Sequence, residues 1–175
     1  MNRILLSNIS RFIILLLLQV LVFQRISNGF SSSGFNYFNI FVYPVFILLL
    51  PVNLPTALAI ASSFVFGLSV DWFYNSPGMH AGAAVLTAFL RPVVLGILEP
   101  RGGYPAGGGP TQNLLGPAWF ARFSAILLSL HLLMYFIIQF FSFVYTPEIL
   151  LSTVVSFVMS YIFVIMYQFL LNPKV

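Results

Sequence analysis

"GLSVDWFYNSPGMHAG", residues 67–82, decides how this chain is read. Asn75-Ser76-Pro77-Gly78 has the composition of a tight turn, and a long apolar run lies on either side of it. The two runs therefore read as the arms of a helical hairpin. Asp71 stands on one arm and His80 on the other, in a chain with three acidic residues and two histidines. At about 1.5 Å of rise per residue the two lie at similar depth. A hydrogen bond or ion pair between them is the expectation, because it lowers the cost of keeping an acid near lipid.

The rest of the chain suits the same solvent. Hydrophobic residues make up 60% and charged residues 6%, and mean hydropathy is +1.02. A soluble domain is about 25% charged. The balance implies an all-α, polytopic membrane protein without a soluble domain. The net charge of +4 does not indicate nucleic acid, since the seven basic residues never cluster. The absence of cysteine excludes disulfides, thiolate metal sites and cysteine nucleophiles.

A helical span needs roughly 20 apolar residues. Six candidates follow, at residues 5–23, 38–52, 55–74, 78–98, 118–143 and 148–171, within one membrane domain covering 1–175. The first lacks a small-residue cleavage motif and reads as an uncleaved signal anchor. The second is the weakest, being short and carrying Pro44, and reads as a span of little tilt, a kinked one or a partly re-entrant one. Thr146-Pro147-Glu148 is the cleanest helix start, and Glu148 reads as a structural acid facing the helix dipole.

Orientation follows from the basic residues. With six spans and the N-terminus inside, Arg3, Arg11, Arg101, Arg122 and Lys174 fall at or near the cytoplasmic side, and Arg25 falls outside. Trp72, Tyr74 and Tyr145 then form one aromatic belt, with Tyr104 and Trp119 at the other interface. The one long loop, residues 99–117, holds six glycines and four prolines and is cytoplasmic on this reading, a turn-rich connector first and a docking loop second. Its Gly107-Gly108-Gly109 run lacks the Gly-Lys-Ser/Thr of a phosphate cradle.

Helical spacing places the polar groups of the hairpin on protein-facing stripes. Ala59, Ser63 and Gly67 step by four toward Asp71, and His80, Ala84, Thr87 and Arg91 follow one face of the other arm. Arg91 lies too deep to reach Asp71. It points toward Glu99 at the cytoplasmic surface or toward carbonyls freed by Pro92, where the helix is either continuous or broken. His131, with Ser124 and Tyr135 on its face, reads as a hydrogen-bonded packing residue. Ser152, Ser156 and Ser160 read as an association face on the last span. The histidines' expected depths differ, so no metal site is assigned. No nucleophile–base–orienter set can be assembled, which argues against an enzyme.

The hairpin "FGLSVDWFYNSPGMHAGAAVLTAFLRP" followed by "EPRGGY" resembles the rod-shape-determining protein MreD family, in the form of Bacteroidetes-like bacteria. Gly67, Leu68, Asp71, Gly78, His80, Arg91-Pro92 and Arg101-Gly102-Gly103-Tyr104 carry the resemblance. It implies a cofactor-free, non-enzymatic component of the wall-elongation machinery in the bacterial cytoplasmic membrane. The implied partners are an MreC-like protein, the elongation polymerase and transpeptidase, and the actin-like MreB. Asp71, His80, Arg91, Gly67 and Gly78 would lock the hairpin or meet partners, and Arg101, Gly102, Gly103 and Tyr104 would dock them. In architecture the family also resembles the substrate-binding subunits of energy-coupling vitamin transporters. The rival expectation is therefore a ligand cavity at Asp71 and His80, open to the outside.

Overall fold

The structure, a computed structural model, describes residues 2–29, 38–105 and 108–171. All regular structure among them is helical. The first helix, α1 (Asn2–Leu18), widens into one π turn at Gln19–Phe23 and continues as α2 (Gln24–Gly29). Then come α3 (Val45–Leu48), α4 (Thr56–Tyr74), α5 (Met79–Ile97), α6 (Gln112–Leu115), α7 (Pro117–Phe140) and α8 (Thr146–Leu171). Among the described residues, five helical stretches are long and apolar enough to cross a membrane: Leu6–Ser27, Thr56–Tyr74, Met79–Ile97, Pro117–Phe140 and Thr146–Leu170. The protein is a multi-pass helical membrane protein.

The expected second helical span, 38–52, is not a helix. Residues 38–42 are irregular, 43–44 turn, and only the four residues of α3 are helical. Proline explains the break. Pro44 biases Tyr43 away from helical geometry and has no N–H to continue a helix upstream. Pro51 and Pro55 stop it downstream.

The segment nevertheless travels the depth of the bundle. Ile40 N donates to Ser27 Oγ at 3.2 Å, and Leu49 O accepts from Arg11 Nη1 at 3.1 Å. Sixteen helical residues separate those two partners, about 24 Å of rise. The chain thus runs antiparallel to α1, and every residue from 39 to 50 is buried. Backbone outside a helix is tolerated at membrane depth only where protein surrounds it. Here α1, α4, α5, α7 and α8 surround it.

Neighbouring helices pack along the chain order, α4 on α5, α5 on α7 and α7 on α8. Phe23 of the π turn meets Phe163 of α8, with ring centroids 4.9 Å apart, and closes the circuit. Both described ends of the chain lie at the same end of the bundle, with Arg11 beside Tyr167. The α4–α5 turn lies at the opposite, hairpin end. Helix α5 runs unbroken through Pro92. The outer faces of α4 and α8 present Leu58, Phe64, Val154, Val158 and Ile162 as an apolar surface suited to lipid.

Candidate functional site

The hairpin is clasped by Asp71. Its carboxylate accepts from Ser76 Oγ at 3.0 Å and the N–H groups of Gly78 at 3.1 Å, His80 at 3.0 Å and Ala81 at 3.0 Å. The first N–H groups of a helix have no partner within it. No side chain at the start of α5 caps them, so an acid at the end of α4 does so instead. Two residues in the left-handed region make the turn, Asn75 at φ 51° and Gly78 at φ 85°.

Gly67 brings the two arms close enough. A Cβ there would lie 2.5 Å from Ala81 Cα and 2.8 Å from both Ala81 N and His80 O. Backbone touches backbone at this crossing, one helical turn before Asp71. Asp71 and His80 do interact, as their depth implied, but through the His80 backbone rather than its imidazole.

The imidazole belongs to a different system. His80 Nδ1 lies 3.1 Å from Tyr43 Oη, and Tyr43 Oη lies 2.6 Å from His131 Nε2. On the far side of that ring, His131 Nδ1 lies 2.9 Å from Thr87 Oγ1, which donates to Ala83 O at 2.7 Å. Counting protons orients the chain. Thr87 spends its hydroxyl proton on Ala83, so His131 Nδ1–H donates to Thr87, and His131 Nε2 accepts from Tyr43. Tyr43 Oη in turn accepts from His80 Nδ1–H. His80 Nε2 is left buried without a partner. Tyr74 and Tyr135 each place a ring centroid 4.8 Å from the His80 ring.

Sequence reasoning put the histidines at different depths and left Tyr43 out. The structure joins them through Tyr43, a residue of the unwound segment. His131 is the hydrogen-bonded packing residue expected, with its partners Tyr43 and Thr87 on other elements.

The unwound segment accounts for most of the other buried polar residues. Five consecutive N–H groups, Asn39 through Tyr43, end on side-chain oxygens. Asn39 donates to Ser156 Oγ at 3.1 Å, Phe41 to Ser160 Oγ at 2.8 Å, and Ile40 to Ser27 as above. Gln19 Oε1 accepts from both Val42 at 2.9 Å and Tyr43 at 3.3 Å, while its Nε2 donates to Ile40 O at 2.9 Å. An unmade buried bond costs about 1–3 kcal/mol. Five would total on the order of a small protein's whole stability.

The stripe of Ser152, Ser156 and Ser160 faces protein, as its spacing implied, and Ser156 and Ser160 bond the unwound segment. One expectation changes here. Arg91 reaches neither Glu99 nor carbonyls freed by Pro92. Its guanidinium donates to Leu50 O, with Pro51 O at 3.5 Å, just beyond the end of α3. Arg11 donates to Leu49 O in the same place. Two buried arginines thus collect the carbonyls at the negative end of a short helix.

The docking residues expected in the long loop divide. Gly102 and Gly103 take φ 105° and 79° in a turn closed by Gly103 N on Pro100 O at 3.0 Å. Tyr104 folds back, and its hydroxyl donates to Leu95 O at 2.7 Å. Trp119 Nε1 donates likewise to Leu98 O at 2.6 Å. Together they cap the last carbonyls of α5. Burial, reinforced by Glu99, raises the Tyr104 phenol above its usual range, which keeps it a proton donor. Arg101 and Gly102 are exposed, and Arg101 is the one of the four with a charged side chain left at the surface. Gly107 and Lys174 lie outside the described residues.

At the hairpin end, beside the Tyr74 and Tyr135 rings that flank His80, a cavity of about 260 Å³ opens among α2, the unwound segment, α4, α5 and α7. Among the described residues no cluster of histidine and acidic side chains could hold a metal ion. Compared with known proteins, the chain matches no family model, no curated protein and no solved structure.

Proposed function

We propose that the chain is a non-enzymatic scaffold of the bacterial wall-elongation machinery. It lies in the cytoplasmic membrane with both termini inside. The observation behind this reading is the use made of the residues that resemble the MreD family. Gly67 forms the helix crossing, Asp71 and Gly78 the clasp, His80 an internal hydrogen-bond chain, and Arg91 the anchor of the unwound segment. Polar groups are invested in holding a shape, while apolar helix faces and Arg101 are left for other molecules. Arg11, Arg91, Arg101 and Arg122 lie toward one end and Arg25 toward the other, a bias that supports a cytoplasmic position for the first end.

The partners on this reading are an MreC-like protein and the elongation polymerase and transpeptidase, linked to actin-like MreB. Affinity purification of the tagged protein from mildly solubilised native membranes tests it. Recovery of MreC-like and wall-synthase proteins supports the scaffold. Their absence, with paired ATPases and a coupling subunit recovered instead, selects the transporter reading. The cavity at the hairpin end is the observation that favours that second reading.

A further inference from the structure

Nothing in the clasp or the unwound segment requires the cavity at the hairpin end, and its chemistry is distinctive. The geometry points to this cavity as a binding site for one neutral saccharide unit.

Charge is the first argument. No acidic or basic side chain lines the cavity among the described residues. The nearest acid, Asp71, has both oxygens occupied by the clasp. A charged ligand would leave water without a counter-ion, at high cost. The ligand is therefore uncharged.

Donor and acceptor pattern is the second. Four amide side chains, Gln24, Asn39, Asn75 and Gln139, reach the cavity from four different elements, with Ser76 beside them. Gln24 already donates to Phe73 O at 3.0 Å; Asn75 and Gln139 each bring a donor and an acceptor side by side. That pairing suits vicinal hydroxyls, or a hydroxyl next to an acetamido group. Gln139 Oε1 is enclosed without a hydrogen-bond partner, and a ligand hydroxyl satisfies it once the amide turns toward the cavity. Tyr74 and Tyr135 supply aromatic walls for the C–H face of a sugar ring.

Size and position complete the case. The volume of about 260 Å³ falls just below the roughly 300–1,000 Å³ of pockets for drug-sized ligands. The enclosed volume takes one ring. The unwound segment supplies Asn39 to the wall. Interrupted helices lining a cavity are a recurrent way of building polar sites inside membrane proteins. The proposal is independent of whether the protein is a scaffold or a transporter subunit.

A free sugar and a glycolipid headgroup share this chemistry, and the test separates them. The full chain in lipid nanodiscs is titrated with methyl β-glucoside, and with glucuronate as the charged control, by saturation-transfer NMR. A parallel hydrogen-exchange measurement compares nanodiscs with and without glucosyl-diacylglycerol. The expected result is saturable glucoside binding without glucuronate binding, or protection around Gln139 by the glycolipid alone. The first assigns a free sugar, the second a headgroup. Gln139→Leu and Asn75→Gly should each weaken binding roughly fivefold, the effect of one lost neutral hydrogen bond. Asn75→Gly keeps the turn, because glycine accepts φ 51°, and so decides the matter if Gln139→Leu folds poorly. Failure of both sugars, equal binding of glucuronate, or unchanged binding in Asn75→Gly would overturn the proposal.

Discussion

Asp71 at the end of one helix accepts the backbone N–H of His80 at the start of the next, at 3.0 Å. Each oxygen of that carboxylate receives two donors, Oδ1 from Ser76 and His80, Oδ2 from Gly78 and Ala81. Asp71→Asn keeps one accepting atom and turns an NH2 toward two N–H groups. It should cost about 2 kcal/mol, and Asp71→Leu, which strands all four donors, should cost more. Unfolding in mixed micelles measures both. Wild-type stability in Asp71→Asn would remove the clasp from the account.

Two glycines on this hairpin separate a backbone contact from a side-chain one. At Gly67 an added Cβ meets Ala81 backbone at 2.5 Å, which cannot move aside. At Gly82 it meets Ile138 Cδ1 at 2.8 Å, the far end of a flexible chain. Gly67→Ala should destabilise by roughly 1–3 kcal/mol, and Gly82→Ala by well under half as much. The same unfolding assay reads the difference, and equal effects would contradict a close α4–α5 crossing.

Gln19 serves three backbone groups of the unwound segment at once. Gln19→Leu should cost about 3 kcal/mol or more, since each stranded group costs about 1–3. Gln24→Leu, whose amide donates to Phe73 O at an exposed site, should cost less than about 1 kcal/mol by the same rule. Comparable losses in the two variants would show that Gln19 does not hold the segment.

The order of protons along His80, Tyr43, His131 and Thr87 fixes both imidazole tautomers. Each ring carries its proton on Nδ1, and Nε2 is bare. Nitrogen-15 NMR of labelled histidine in bilayers distinguishes the two tautomers directly. In Tyr43→Phe the His131 Nε2 resonance should move toward that of a nitrogen without a hydrogen bond, while a ring protonated on Nε2 in the wild type would reverse the chain.

Five helical passes were legible because span length and hydropathy are set by the bilayer, and the hairpin because Asn-Ser-Pro-Gly interrupts two such runs. The crossing at 38–50 was not. An apolar run reads alike whether its backbone is helical or extended, because hydropathy measures what surrounds a residue rather than its φ and ψ. Pro44 was visible, yet a proline alone does not separate a kink from an unwound segment. The sharper signal was Gln19, an amide in the middle of "LLLLQVLVF", which needs backbone partners that a regular helix cannot offer. The meeting of His80 and His131 was hidden for a related reason. Periodicity shows which residues share a face of one helix, and here a third element stands between two faces.

The second crossing is a non-helical chain whose backbone is held by side chains of the surrounding helices. Backbone carbon-13 shifts of residues 38–50, measured by solid-state NMR on the labelled protein in bilayers, provide the test. The account predicts non-helical Cα and Cβ shifts through Val42, turning helical only after Pro44. Helical shifts across the whole of 38–50 would contradict it.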